Sequence, residues 1–287
     1  MARTVLSFLL GLVAVVLLLA GVSATAVQRT VVDTDGFVTL TSPLSSDAGL
    51  HDRLASTVAT EARNRIALPE GLQDAAAGVI DRAAQALTED VGFPAAWERT
   101  MQRSHDLSLG ALTDPSKPDA LQADIQPIVR LLVDKAAGSL GVPLDGSVIS
   151  DDPVVVDLGA SQQASVAATV VRAAGFAPAA LTGAAVAAVL ALLVARRRTT
   201  TLAWLGIGVL VGTALLVVAG LLVQGAVASG QNAPGLGDYL RYRLVGVASG
   251  AAVPWAVGLA VWGAVLLAVG VVGRLVVGRA ETGSAQR

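Results

Sequence analysis

The chain has 287 residues, 54% of them hydrophobic and 15% charged, with a formal net charge of −2. It contains no cysteine, which excludes disulfides, thiol nucleophiles and thiolate metal sites together. Four charge-free runs, residues 4–28, 173–195, 199–237 and 244–273, carry most of the apolar content. Each supplies the roughly 20 residues needed to cross a hydrocarbon core about 30 Å thick. These runs predict an α-helical integral membrane protein with four transmembrane helices. The expected domains are an N-terminal transmembrane anchor or signal peptide at 1–27, an extracytoplasmic domain at 28–172, a three-span domain at 173–275 and a cytoplasmic tail at 276–287.

The first apolar segment admits two readings. Its basic start and Ala24-Thr25-Ala26 resemble a cleavable signal, but the apolar centre from Val5 to Val22 is 18 residues long and favours a retained anchor. Either way the segment that follows is exported. Asp33-Thr34-Asp35-Gly36 shares part of a calcium-loop pattern but lacks the third oxygen position and the closing glutamate, so it reads as a turn or helix entry.

Asp47 is then a natural N-cap for a helix with Leu50, Leu54, Val58, Ala62 and Ile66 at four-residue intervals, broken by Pro69. A second helix carries Leu72, Ala76, Val79, Ile80, Ala83 and Leu87 on one face. The stretch FPAAWERTMQRSHD, residues 93–106, opens a third, with Pro94 in the first turn and Trp97, Met101, His105 and Leu112 along one side. Pro115 and Pro118 mark a loop. LQADI and PVVVDL are β-favouring runs expected to pair as a small ribbon, with a helix from Pro127 to Leu140 between them, ended by Gly141. Asp151-Asp152 before Pro153 reads as loop. A last helix with Val166, Val170 and Ala173 on its face is expected to run unbroken into the second span, with Pro178 near the join. The exported domain is therefore mostly α.

Arginine placement sets the threading. Arg3, the triplet Arg196, Arg197 and Arg198, and the group Arg274, Arg279 and Arg287 flank the spans, and the positive-inside rule puts all three segments in the cytoplasm. Residues 28–172 and a loop near 228–243 then lie outside, at the cell membrane's outer face. Arg241 and Arg243 run against the rule in that loop. Residues 28–172 hold 20 acidic and 11 basic side chains, which argues against nucleic acid as a partner.

Candidate chemistry is sparse. His105 has the intrinsic pKa of a general base, but the only other histidine is His51 and no cysteine exists, so neither a zinc site nor a nucleophile–base pair assembles. Ser104 and Ser108 lie beside it without a G-x-S-x-G context. No catalytic residue, cofactor or metal is expected. Trp97, Arg103 and His105 are the candidate structural or interaction positions. The spans hold no ionisable residue in their interiors, which disfavours a self-contained transporter. Gly208 and Gly212 match a small-xxx-small pattern and are the candidate helix-packing positions, as Gly246 and Gly250 match it near a span end.

VVDTDGFVTLTSPLSSD, FPAAWERTMQRSH, ADIQPIVRLL and LLVARRRTTTLAWLGIGVLVG together resemble an uncharacterised family of actinobacterial four-span membrane proteins with an exported helical domain, although Gln102 stands where that family has asparagine. The resemblance implies a topology, an anchor followed by an exported helical domain and three spans, and no activity. The expected function is that of a non-enzymatic envelope membrane protein, in contact with membrane lipid, acting by association with envelope partners or with itself. The alternatives are a ligand-sensing component of a membrane complex and an envelope hydrolase.

Overall fold

A computed structural model describes residues 2–65, 73–114, 121–140, 152–158, 161–232 and 235–284. The expectations for Ile66, Pro69, Leu72, Pro115, Pro118, Gly141 and Asp151 lie outside these. The helices in chain order are α1 (Ala2–Val27), α2 (Thr34–Thr41), α3 (Ala48–Arg65), α4 (Gln73–Gln85), α5 (Phe93–Thr113), α6 (Gln126–Leu140), α7 (Ser161–Ala174), α8 (Ala177–Val194), α9 (Arg198–Val227) and α10 (Leu236–Ser284). Strands β1 (Gln122–Asp124) and β2 (Val155–Asp157) pair antiparallel, with Ala123 opposite Val156. Two compact units result. One comprises Arg29–Val171 with Ala226–Ala248; the other comprises Met1–Gln28, Arg172–Gly225 and Ser249–Arg287.

In the first unit the helical periodicities resolve into one core. Asp47 caps α3 by accepting the Leu50 N–H at 2.8 Å, and Leu50, Leu54, Val58 and Ala62 are all buried. On α5, Pro94 sits in the first turn, where no N–H is needed. Trp97, Met101, His105 and Leu112 are each at most 5% exposed, so the face read from the sequence is the buried one. Phe93, Leu44, Leu87, Ile128 and Leu132 complete the centre. Each such aliphatic or aromatic side chain contributes about 1.5–3 kcal/mol by leaving water. The Asp33–Gly36 turn is a helix entry: Asp33 precedes α2, and a Cβ on Gly36 would overlap the Arg29 carbonyl oxygen.

Three expectations need correction. Residues 228–243 are not an open loop. Ala228–Asn232 forms a 3₁₀ turn and α10 begins at Leu236, burying Leu236, Tyr239 and Leu240 in the core of the first unit. Arg243 there pairs with Asp47 at 2.7 Å and Arg241 with Asp238 at 3.3 Å, while the Tyr239 hydroxyl donates to Asp47 at 2.8 Å. Those arginines are thus engaged with carboxylates of the first unit. Second, α7 does not run unbroken into α8: the chain turns at Gly175 and Phe176, and Pro178 occupies the first turn of α8. Third, α7 buries Ala164, Ala168 and Val171 against Leu112, Leu109 and Leu121, whereas Val166 and Val170 are exposed. Alanine lets the helix approach closely, and that outweighs the larger area of valine.

In the second unit, Arg3–Val32, Ala177–Val194, Arg198–Asn232 and Leu236–Leu275 are helical segments long and apolar enough to cross a membrane, although the last enters the first unit at its start. Small residues set their contacts. The Ser7 hydroxyl donates to the Ala191 carbonyl at 2.9 Å, and a Cβ on Gly21 would meet Leu181, so α1 and α8 pack antiparallel. Gly206 lies against Gly263 and Leu267, and Gly270 against Thr199 and Ala203, which brings α9 and α10 together antiparallel at backbone distance.

Candidate functional site

The residues singled out in the sequence fall on two sides of α5. On one side they hold the fold. Trp97 is buried among Phe93 and Met101, and its indole N–H donates to the Thr41 carbonyl at 3.3 Å. His105 contacts α2 and the segment before it. Its Nε2 lies 2.9 Å from the Val31 carbonyl and its Nδ1 3.3 Å from the Thr34 hydroxyl. A carbonyl can only accept, so Nε2 carries the proton and Nδ1 accepts from Thr34 in the neutral ring. Asp106 Oδ1 comes within 3.6 Å of Nδ1, but its side chain is 73% exposed. The imidazole also faces the Phe37 ring at 5.1 Å. These partners clamp α2 onto α5.

The neighbouring serines have an equally local task. Within the ribbon, the Ile125 N–H bonds to Val154 and the Leu158 N–H to Leu121, so the amides of Gln122 and Asp124 point away from β2. They meet α5. Ser108 Oγ donates to the Gln122 carbonyl at 2.8 Å and accepts its N–H at 3.0 Å. Ser104 Oγ accepts the Asp124 N–H at 2.9 Å while donating to the Thr100 carbonyl at 2.6 Å. Two hydroxyls one helical turn apart thus take the place of a third strand and close the ribbon edge. Nothing in the sequence named their partner; the i, i+4 spacing was the only signal.

On the other side of α5 is a polar network that the sequence reading caught only at Arg103. Asp124 is 2% exposed. Its Oδ2 pairs with Arg103 Nε at 2.9 Å, and its Oδ1 accepts the amides of Gln126 at 3.0 Å and Val154 at 2.9 Å. Arg103 Nη1 also donates to Gln126 Oε1 at 2.8 Å. That bond fixes the amide's orientation, since the opposite flip would set an NH₂ against a guanidinium. Gln126 Nε2 is therefore directed away from Arg103, buried, and without an acceptor among the described residues. Leaving such a donor unmatched costs about 1–3 kcal/mol. Gln126 lines a groove of about 290 Å³ between α5 and α6, together with Arg99, Gln102, Arg103, Arg130 and Asp134.

Gly208 and Gly212 pack α9 against α1: a Cβ on Gly208 would press on Val15 at 3.1 Å and one on Gly212 would overlap Leu19. Both line an apolar groove of about 700 Å³ between these helices, near Arg196 and Arg197. Between α9 and α10 the backbones approach closely at Gly206 and Gly270 instead, and a Cβ on Gly246 or Gly250 would meet nothing within 4 Å among the described residues. Among the described residues, no three His, Asp or Glu side chains gather as a metal cluster. No family model, curated protein or solved structure matches the chain.

Proposed function

We propose that this chain is a four-span envelope membrane protein that acts by association rather than catalysis. Its acidic outer domain faces away from the cytoplasm and both termini lie inside. The single observation that carries the reading is the commitment of α5. The imidazole and hydroxyls that a hydrolase would need are engaged with Val31, Thr34, Gln122 and Asp124, and the charged groups α5 turns outward are Glu98, Arg99, Arg103 and Asp106. The resemblance to the actinobacterial four-span family implies the same plan.

Packing supports the threading. The contacts of Ser7 with Ala191 and of Gly270 with Thr199 draw Arg3, the triplet Arg196–Arg198 and Arg274 toward the same end of the membrane unit. The positive-inside rule assigns that end to the cytoplasm. The first segment is read as a retained anchor, because Ser7, Val15, Leu19 and Gly21 all contact α8 or α9. Gly208 and Gly212 serve contacts within the chain, so association is assigned to the outer domain. The α5–α6 groove favours, as a second reading, a ligand-sensing component of a membrane complex.

Crosslinking in native membranes, followed by identification of attached proteins, tests the reading. A reproducible partner or a second copy linked through residues 28–172 supports it; a monomer with no attached protein contradicts it. Reporter enzymes active only outside the cytoplasm should work after Thr113 and fail after Arg198. Activity after Arg198 would overturn the threading.

A further inference from the structure

The outer domain is acidic, yet three of its 11 basic side chains, Arg99, Arg103 and Arg130, line one groove. Among the described residues one carboxylate, Asp134, shares that lining, Asp124 pairs with Arg103, and Glu98 accepts from the lining Gln102. Three guanidiniums thus gather in one groove of a domain that is acidic as a whole. Gln126, which lines the groove, is 2% exposed, with its side-chain oxygen held by Arg103 and its Nε2 unmatched among the described residues. The backbone amides at the start of α6 are already used: Gln126 N–H goes to Asp124, and the N–H groups of Ile128 and Val129 go to the Ile125 carbonyl. Pro127 has none to offer. A side-chain amide and guanidiniums are therefore what the groove presents.

We infer that the α5–α6 groove is an oxyanion site, taking a small carboxylate- or phosphate-bearing ligand whose oxygen accepts from Gln126 Nε2 between Arg99, Arg103 and Arg130. An unmatched N–H requires an acceptor, and flanking guanidiniums favour an acceptor with negative charge in a planar or forked array of oxygens. The volume, about 290 Å³, lies at the lower end of ligand pockets, which run from roughly 300 to 1,000 Å³. It suits one acidic group and a few attached atoms. The same chemistry could arrive as a free anion or on a lipid headgroup. The site goes beyond association as such, and it survives if no protein partner is found.

The test uses the full chain in phosphatidylcholine nanodiscs, titrated calorimetrically with inorganic phosphate and, separately, with acetate, at ionic strength held constant with chloride. A third arm replaces part of the lipid with phosphatidylglycerol. Backbone hydrogen exchange across Ile125–Leu131 locates the effect. Saturable binding of either anion, with slowed exchange in that segment, is expected. If the source is a headgroup, the slowing occurs in phosphatidylglycerol discs without added anion. Gln126→Glu keeps an acceptor for Arg103 but puts a carboxylate where the ligand oxygen would sit, and it should weaken binding at least tenfold. Arg99→Gln with Arg130→Gln alters only exposed side chains, so it is the variant least able to unfold the domain, and it should weaken binding to a similar degree. The inference is overturned if none of the three arms differs from chloride, or if binding is equal in wild type and in the folded double variant.

Discussion

The two units of this chain differ in what they leave exposed. The first unit, outer in the proposed threading, closes over Phe93, Leu44, Leu54, Leu87, Ile128 and Leu132, each 2% exposed or less. The membrane unit closes over Ala14, Val15, Ala187, Leu205, Val209 and Leu259, while Leu215 and Leu222 stand 65% and 69% exposed. In water such an apolar surface would drive aggregation. In a bilayer it costs nothing, because lipid tails are as apolar as leucine and helices associate through close contact of small residues. One chain thus follows two packing rules, set by two solvents. The outer unit should fail when large side chains are truncated, and the membrane unit when small ones are enlarged.

The largest effect tests the first half of that contrast. Trp97→Ala should destabilise the outer unit by about 3–5 kcal/mol, the usual range for a buried aromatic, and protease resistance of that unit reads it out. Trp262→Ala removes the same side chain from a position 67% exposed in the membrane unit and should leave thermal stability unchanged in detergent or nanodiscs. Equal losses in both would break the comparison. Next in size is Asp124→Asn, which removes the charge that Arg103 and two backbone amides share. It should cost about 1.5–3 kcal/mol, typical of hydrogen bonds to a charged group, measured by denaturant unfolding of the outer unit. For the membrane unit, Gly270→Leu should cost about 1–3 kcal/mol by overpacking against Thr199 and Ala203, whereas Gly250→Leu, with nothing within 4 Å, should be neutral there.

The smallest effect is electrostatic. The hydrogen bond from Lys135, at 2.9 Å, together with the Gly92 amide, holds the Asp90 carboxyl below its ordinary value of 3.8. A depressed folded pKa means the stabilisation is present above the unfolded value and is lost as pH falls through the folded one. Asp90→Asn should therefore be slightly less stable than wild type near neutrality. The difference should shrink as pH falls below 3.8 and vanish only below the depressed folded value, where the folded wild-type carboxyl protonates. A gap that persists at lower pH would assign the effect to packing.

Local signals made much of the outer unit readable. Four-residue spacing found α3 and the buried face of α5, cap and turn chemistry placed Asp47 and Pro94, and β-branched runs found the ribbon. What stayed hidden depends on partners distant in sequence. Leu236, Tyr239 and Leu240 have helical spacing, but Arg241 and Arg243 beside them read as the polar flank of a span. Asp47, 192 residues from Tyr239, and the core around Leu50 and Leu54 hold that helix in place. On α7 the valines advertised a face that the alanines occupy, because periodicity ranks residues by apolar area and not by how closely a neighbour approaches. At the candidate site, Arg103 stood out in sequence, whereas Asp124 and Gln126 read as part of a strand run and a helix start. Their network forms only when β1 docks beside α5.

The central claim is that α5 is a structural clamp and that the protein acts by association. His105→Gln tests it most directly. Glutamine retains a donor for the Val31 carbonyl and loses the ring's bond with Thr34, a cost on the order of 1 kcal/mol. The account predicts that the variant, compared at equal amounts of folded protein, captures the same crosslinked partners in native membranes at the same yield as wild type. A stably folded His105→Gln protein that captures none of them would contradict the account and return His105 to a direct role in binding or catalysis.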